Sequence, residues 1–216
     1  MNVPVLEGQG LECTRGGRVL FEQLNLRVQG GQGLYIAGGN GAGKTSLLRL
    51  LCGLLPPSAG QVLWQGAPLA QQREQLGRDL VYIGHLNGVK DDLTALENLH
   101  FAAALSGRPA TAEQLHHALE LLGLGARAKL PARVLSQGQR RRLALARLVL
   151  AQEVPLWILD EPFTALDTAG VVVLRGLIEA QLARGGIVVL TTHQEVALPT
   201  SVLRLELELH ALERHP

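Results

Sequence analysis

The pattern of apolar positions divides the chain into segments with strand spacing and segments with helix spacing. Over residues 1–32, short apolar runs are separated by glycine pairs, which predicts short antiparallel strands. The apolar run GLYIA at 33–37 predicts another strand, and the leucine-rich run SLLRLLCGLL that follows the next glycines predicts a helix. Gly53 and the prolines at 56 and 57 are typical of the end of such a helix.

The middle of the chain, residues 92–150, has a helical pattern and few β-branched residues. Capping-box sequences at 94–97 (TALE) and 111–114 (TAEQ) predict two helix starts. Pro131 breaks this run, and a regular helix is predicted from about 137 to 151. The segment therefore has the character of an insertion made of helices.

Strand patterns flank the helical segment on both sides. QVLWQG and DLVYIG precede it, while VPLWILD and GIVVLTT follow it, with a helix predicted near 170–183 between the last two. The run VLRLELEL alternates strictly and predicts a half-exposed strand. These elements predict an α/β core at about 33–85 and 152–195, interrupted by the helical insertion.

The composition disfavours several classes of function. The 216 residues carry a net charge of +1 and 3% aromatics, unlike proteins that hold nucleic acid by basic charge or base stacking. No run of about 18 apolar residues and no basic-then-apolar N-terminal segment occurs, so we expect neither a membrane span nor a secretory signal. Any membrane role must then come through a partner. Cys13 and Cys52 are expected to be reduced and buried.

Two clusters of potential ligands have ordinary explanations. The run 140–142 is three arginines on a helix that is otherwise apolar, and we expect them to form its solvated face instead of a nucleic-acid patch. His116 and His117 are adjacent, so they do not share a helix face, and we expect surface residues instead of metal or haem ligands.

A phosphate-binding loop is predicted between the strand at 33–37 and the helix after it. The segment GGNGAGKT fits the pattern G-x-x-x-x-G-K-[ST] in the strand–loop–helix context that the pattern requires, which disfavours a plain glycine turn. Its backbone N–H groups and the helix N-terminus would surround the phosphates of a nucleotide. The candidate nucleotide-binding residues are Gly38, Gly39, Asn40, Gly41, Ala42, Gly43, Lys44, Thr45 and Ser46.

Two acidic residues end the apolar strand LWILDE. An apolar run of this kind is typical of a central strand in a parallel sheet, whose carboxyl end faces the ligand. We expect Asp160 to hold Mg²⁺ together with the Thr45 hydroxyl, and Glu161 to polarise the attacking water. A pair of solvated acids is the alternative, and the phosphate loop makes it the weaker one.

The segment LSQGQ at 135–139 resembles the LSGGQ signature of ABC ATPases, with Gln137 as its one departure. Ser136 and Gln139 also form a capping box, so the same residues would start a helix. FTALD at 163–167 looks like the D-loop of that family, and His193 looks like its switch histidine. The four motifs occur in the family's order and span nearly the whole chain.

This resemblance implies a fold and a way of working. It implies a P-loop NTPase of the ABC ATPase type, with a RecA-like parallel core, an N-terminal antiparallel β subdomain and an inserted helical signature lobe. Residues 1–216 would form one domain, with a catalytic lobe at 1–85 and 152–216 and a helical lobe at 86–151. It also implies ATP hydrolysis between two copies paired head to tail.

The resemblance also assigns roles to residues. Lys44, Glu161 and His193 would be catalytic. The signature residues that would face the ATP held by the other copy are Ser136, Gly138 and Gln139.

Two positions depart from the general family pattern. The family usually has a glutamine where the strand VYIG leads into the helical lobe, and this chain has His85, which could contact Mg²⁺ or its water or merely end the strand. Many relatives stack an aromatic side chain on adenine near the N-terminus. The equivalent position here is Arg15, whose guanidinium can stack on a purine, with Phe21 as the alternative.

Several longer stretches are similar to the CcmA family, the ATP-binding subunits of bacterial cytochrome c maturation: VLWQGAPL, YIGHLNGVKDDLTALENLHF, LWILDEPFTALD and GGIVVLTTHQ. That similarity implies a peripheral position on the cytoplasmic face of the bacterial inner membrane. It implies a CcmB-like membrane subunit, CcmC-like and CcmD-like proteins, and indirectly the haem chaperone CcmE, with haem export or chaperone release as the coupled work. The alternative is the ATPase subunit of another small-molecule ABC transporter.

Overall fold

Two β-sheets and a group of helices form the part of the chain that the computed structural model describes, residues 3–194 and 196–208. The N-terminal sheet is antiparallel and has the order β2-β1-β4-β5. Its strands are β1 (Val5–Arg15), β2 (Arg18–Gln29), β4 (Ala59–Trp64) and β5 (Ala67–Pro68). The hairpin between β1 and β2 turns through Gly16 and Gly17, which both have positive φ, a conformation that glycine adopts without steric cost. The predicted antiparallel strands are thus confirmed.

The second sheet is parallel throughout, with the order β6-β7-β8-β3-β9. Its strands are β3 (Gly33–Gly38), β6 (Leu80–Ile83), β7 (Leu156–Leu159), β8 (Ile187–Thr191) and β9 (Val202–Leu207). Every residue of β7 and β8 is buried, as the unbroken apolar runs predicted. The predicted C-terminal strand is confirmed over β9, although residue 209 of that run lies outside the described residues.

Helices cover both faces of the parallel sheet. They are α1 (Lys44–Leu51), α2 (Arg73–Asp79), α3 (Ala95–Leu105), α4 (Ala112–Leu121), α5 (Gln137–Leu150) and α6 (Thr168–Ala183). Helix α2 was not anticipated, because it is short and no pattern of apolar residues distinguishes it. In chain order α3, α4 and α5 lie between β6 and β7, which agrees with a helical insertion in an α/β core.

Capping boxes start the three inserted helices. Thr94 and Glu97 form one at α3, and Thr111 and Gln114 form one at α4. At α5 the Ser136 hydroxyl accepts from the Gln139 N–H, and the Gln139 side chain accepts from the Ser136 N–H. All three sequence predictions of capping are therefore correct.

The core consists of two apolar clusters that share the parallel sheet. Trp157 and Leu159 of β7 pack into the cluster that includes the inserted helices. Leu156 and Ile158 of the same strand pack on the opposite side, with α1 and the antiparallel sheet. This alternation is the period of a β-strand, and it fixes where the carboxyl end of β7 points. None of the described helices is long and apolar enough to cross a bilayer.

Candidate functional site

The loop between β3 and α1 wraps around the ammonium group of Lys44. Lys44 is 9% exposed, and its Nζ donates hydrogen bonds to the carbonyl oxygens of Gly38 (2.7 Å) and Gly39 (3.0 Å). Gly41 and Gly43 have φ of 82° and 97°, which only glycine adopts without strain. The loop therefore has the backbone shape that the phosphate-loop pattern predicted, with the Lys44 ammonium at its centre.

A threonine on each side holds the carboxylate of Asp160. Thr45 Oγ1 donates to Asp160 Oδ2 at 3.0 Å, and Thr191 Oγ1 donates to Asp160 Oδ1 at 2.8 Å. Asp160 is 2% exposed, so these bonds satisfy both oxygens of a buried acid. The Thr45 hydroxyl and the Asp160 carboxylate are hard oxygen donors lying side by side, which is the donor set that Mg²⁺ prefers.

Glu161, the residue after Asp160, has an unusual backbone conformation. Its φ is 49°, a left-handed value that costs a non-glycine residue about 1–3 kcal/mol and persists only where neighbours hold it. Its N–H donates to Thr191 Oγ1 at 2.9 Å. Its carboxylate accepts from the backbone N–H of His193 at 3.0 Å, and the His193 Nε2 lies 3.4 Å from the other oxygen.

Thr191 was not predicted as a site residue, although it binds both acids. The signal was present in the sequence, because the strand GIVVLTT ends in threonines where a parallel strand reaches the ligand edge. Its hydroxyl bridges the Asp160 side chain and the Glu161 backbone. Thr191 therefore fixes the Asp160 carboxylate relative to the Glu161 backbone.

These residues face a common cleft of about 420 Å³. Its lining includes the phosphate loop, both acids and two histidines: Leu20, Asn40, Gly41, Gly43, Lys44, Thr45, Ser46, His85, Asp160, Glu161 and His193. The structure thus brings together residues that are far apart in sequence. His85 is exposed, two residues after β6, and faces the same cleft as Thr45 and Asp160, but among the described residues it makes no hydrogen bond to either.

The signature residues do not line this cleft. Ser136 is exposed at the start of α5, and Gly138 lies against the backbone of Ala165. A Cβ atom placed on Gly138 would lie 2.5 Å from the Ala165 carbonyl oxygen, so no larger residue fits there without a shift. Within one copy, the phosphate loop and the signature are therefore separate surfaces.

The two candidates for adenine stacking differ in exposure. Arg15 is exposed at the end of β1, although it does not line the cleft. Phe21 is 4% exposed, and its ring lies against Gly43, where a Cβ would come within 3.2 Å of Cδ1. The alternative that Phe21 stacks on adenine is wrong, because its ring is part of the core beneath the loop. Leu20 supplies an apolar contact in the cleft instead.

The arginine run at 140–142 is not the solvated face that we expected. Arg141 is 3% exposed, and burial lowers its pKa, against which the charges of Asp160 and Glu161 act. Its neighbours are also engaged: Arg140 pairs with Asp91, and Arg142 pairs with Asp167 and bonds to the Leu122 carbonyl. The signal that was missed is helical spacing.

Arg141 occupies position i of a buried stripe on α5. The apolar residues Ala144, Leu145 and Leu148 follow it at i+3, i+4 and i+7, and all three are buried. A charged residue on the buried side of a helix needs partners, and Arg141 bonds to backbone carbonyls at the ends of β7 and β6.

His116 is half-buried and His117 is exposed, and in the described residues they belong to no cluster that could hold a metal.

Comparison with known proteins places this chain in a family. The sequence profile "ABC transporter" matches residues 21–164. The cytochrome c biogenesis ATP-binding export protein CcmA of Nitrosospira multiformis is 50% identical over 210 residues, 95% of this chain and 100% of that protein. The CcmA of Dechloromonas aromatica is 51% identical over 200 residues, 93% of this chain and 98% of that protein.

A solved structure shows the same fold at lower identity. It is a dimeric ATP-binding cassette in a post-hydrolysis state, bound to ADP and phosphate, with a TM-score of 0.76, 22% identity and coverage of 95% of this chain and 97% of that one. At this identity the similarity shows a shared fold and nothing about function. The profile match and the identity to full-length relatives carry the assignment: the chain is an ABC transporter ATP-binding protein and belongs to the CcmA family.

Proposed function

We propose that this chain is the ATP-hydrolysing subunit of a membrane complex for cytochrome c biogenesis. The observation that supports it most is the shared cleft, in which the Lys44 loop and the carboxylates of Asp160 and Glu161 face one another. A phosphate-binding loop opposite a buried metal-binding acid and a second, positioned acid is what phosphoryl transfer to water requires. The name of these relatives, cytochrome c biogenesis ATP-binding export protein, supplies the biological setting.

The residues divide the chemistry among themselves. Lys44 is the point charge for the β- and γ-phosphates, and nucleotide would replace the carbonyl oxygens of Gly38 and Gly39 as its partner. Thr45 and Asp160 would hold Mg²⁺, with His85 as a further contact at the rim, and the ion when bound neutralises charge on the phosphates. The other candidate nucleotide-binding residues of the loop, from Gly38 to Ser46, contribute backbone N–H groups or line the cleft.

Glu161 orients the water for hydrolysis. The water oxygen bonds to the γ-phosphorus, the bond to the β–γ bridging oxygen breaks, and Glu161 accepts the water's proton. The His193 backbone N–H holds one Glu161 oxygen, and the exposed imidazole beside it would contact the γ-phosphate when nucleotide is bound. The products are ADP and inorganic phosphate.

We propose that two copies complete the site. The exposed Ser136, with Gly138 and Gln139, starts a capped helix whose positive end suits an anion, yet these three residues do not line the phosphate-loop cleft of their own copy. A head-to-tail pair would place this helix start against the γ-phosphate held by the other copy's Lys44. Loss of that phosphate would then release the pair.

The lobes and the membrane partner follow from this arrangement. We propose one domain, 1–216, with catalytic parts 1–85 and 152–216 and a helical lobe, 86–151. The segment 86–101 enters that lobe directly after His85 and is the proposed docking surface for a CcmB-like membrane subunit. Leu86 is 86% exposed and Phe101 is 48% exposed, so apolar side chains are available there.

The cellular setting is the least direct part of the proposal. CcmC-like and CcmD-like proteins and the haem chaperone CcmE would complete the system at the cytoplasmic face of the bacterial inner membrane, with haem export or chaperone release as the coupled work. The alternative is the ATPase subunit of another small-molecule ABC transporter. The net charge of +1 disfavours nucleic acid as a partner.

Purification from membranes tests the setting. A tagged copy carrying Glu161→Gln is solubilised with ATP, and the bound subunits are identified by mass spectrometry. We expect membrane proteins of cytochrome c biogenesis, and a strain that lacks this chain should lose covalent haem staining of c-type cytochromes. Recovery of the subunits of a different transporter, with haem staining intact, would favour the alternative.

A further inference from the structure

The guanidinium of Arg141 joins three parts of the chain. It projects from α5, the helix that the signature starts. Its Nη2 donates to the carbonyl oxygens of Asp160 and Glu161, each at 2.7 Å. Its Nη1 donates to the Gly84 carbonyl at 2.9 Å and to Asn87 Oδ1 at 3.1 Å, both in the segment between β6 and α3.

These bonds use the whole donor capacity of the side chain. Nε donates to the Pro162 carbonyl at 3.4 Å, so each of the five N–H groups of the guanidinium has an oxygen acceptor. None of the five acceptors is a carboxylate oxygen. The arginine therefore acts on backbone position, with its planar fork fixing several carbonyls at once.

Two of these carbonyls belong to the residues that carry the reaction. The Glu161 backbone has a φ of 49°, and Arg141 binds its carbonyl while Thr191 binds its N–H. A strained backbone keeps its conformation only through such neighbours. A shift of Arg141 relative to β7 therefore changes where the Glu161 carboxylate points.

The same fork also binds the chain that leads into the helical lobe. Asn87 is two residues beyond His85, in the proposed docking segment 86–101. The bond from Arg141 Nη1 to Asn87 connects this segment to the Glu161 backbone through a single rigid group. A movement of this segment or of α5 can therefore change the position of Glu161 directly, without a change in the bound nucleotide.

We propose that Arg141 is a positioning residue that makes ATP turnover, but not nucleotide binding, depend on the placement of the segment between β6 and α3. This inference rests on the proposed role of Glu161 as the group that orients water. The step that the membrane partner would regulate is ATP hydrolysis. A partner that moves the segment 86–101 would change kcat by moving Glu161.

The first test replaces the fork and keeps the charge. Arg141→Lys leaves an ammonium with three donors, which cannot bind both ends of this network. We expect kcat for ATP hydrolysis to fall about 10- to 100-fold, as for a small misplacement of a catalytic group, with the Kd for ADP unchanged. Arg147→Lys is the matched control, since Arg147 is on the same helix and faces β6 and α3 but not the catalytic acids.

The second test changes only the far end of the network. Asn87→Asp keeps an oxygen acceptor for Arg141, whereas Asn87→Leu removes it. We expect Asn87→Leu to lower kcat and Asn87→Asp to retain it, with equal Kd for ADP. In the Arg141→Lys background the two Asn87 variants should have the same kcat, because the guanidinium that bonds to residue 87 is absent.

The outcomes separate this inference from the proposed function. If Arg141→Lys only lowers the Tm while kcat of the folded protein is normal, or if Asn87→Leu and Asn87→Asp both turn over like the parent, the positioning role is wrong. Should Arg141→Lys fail to fold, the Asn87 pair decides alone. If Glu161→Gln keeps full turnover, the proposed function fails, whatever the Arg141 variants do.

Discussion

The backbone N–H of His193 donates a 3.0 Å hydrogen bond to one Glu161 carboxylate oxygen, and the His193 imidazole lies 3.4 Å from the other. One residue therefore holds the acid in two ways, and only the second depends on a side chain. The imidazole is 52% exposed whereas the carboxylate is 14% exposed, so the histidine is at the open side of the cleft. This difference makes the contributions of the two residues separable by mutation.

Glu161→Gln should abolish turnover and leave nucleotide binding intact. The amide keeps the size of the side chain and can still accept from the His193 N–H, but it cannot take a proton from water. We expect phosphate release to fall by about 10²–10⁴-fold, the usual contribution of a general base. Gel filtration with ATP and Mg²⁺ should then show a dimer. Glu22→Gln, on an exposed part of β2, is the control and should behave as wild type.

His193→Ala should slow hydrolysis less than Glu161→Gln does. The alanine variant keeps the backbone bond to Glu161 and loses only the imidazole, which we propose lies beside the γ-phosphate. A loss of about 10²-fold in kcat is expected, as for one donor at a transition state, with little change in ATP affinity. Single-turnover phosphate release measures this step directly. A normal kcat would show that the backbone N–H alone positions Glu161.

Lys44→Ala should weaken nucleotide binding itself. The variant removes a charge-assisted contact to phosphate, worth roughly 10- to 100-fold in affinity. ATP should raise the Tm of the wild type, because a ligand that binds only the folded state stabilises it, and should raise that of the variant far less. Lys129→Ala, on the exposed surface of the helical lobe, should keep the full ATP-induced shift. An equal shift in both variants would contradict the role of Lys44.

Much of the fold was predictable because its signals are local. The capping box at Ser136, the glycine loop before α1 and the apolar strand that ends in Asp160 each follow from a few neighbouring residues. Spacing alone could not show that Asp160 would be held by Thr45 and Thr191, since these contacts cross the sheet. The loop and the strand end meet only because the strand order places them at one edge.

The errors have a common physical cause. The run of three arginines predicted exposed side chains. Arg141 is nevertheless buried, because it lies on the apolar face of α5 and its guanidinium bonds to backbone carbonyls after folding. Phe21 suggested a stacking platform, yet the ring packs beneath Gly43. In both cases the residue type was known from the sequence, but the sequence could not show which way the side chain points, because tertiary packing sets that direction.

Arg15→Ala should lower the affinity for ATP if this guanidinium stacks on adenine. Such a contact contributes about 0.5–2 kcal/mol, so the Kd should rise by roughly 2- to 30-fold. Arg15→Lys separates stacking from charge, because lysine keeps the charge but not the planar group. We expect the lysine variant to bind ATP almost as weakly as the alanine variant. An unchanged Kd in Arg15→Ala would show that another group contacts the base.

Gly138→Ala should damage the signature region, because the new Cβ would lie 2.5 Å from the Ala165 carbonyl oxygen. Backbone lies on both sides of this contact, so α5 or the segment around Ala165 must shift, at a cost of about 1–3 kcal/mol. We expect a lower Tm and a loss of ATP-dependent dimer formation, since the start of α5 faces the other copy in the proposed head-to-tail pair. Gly176→Ala is the matched control, because Gly176 lies within α6 with open space at its Cβ position, where alanine favours the helix. Equal Tm values for the two variants would mean that Gly138 does not pack against Ala165, and that the signature helix owes its place to other contacts.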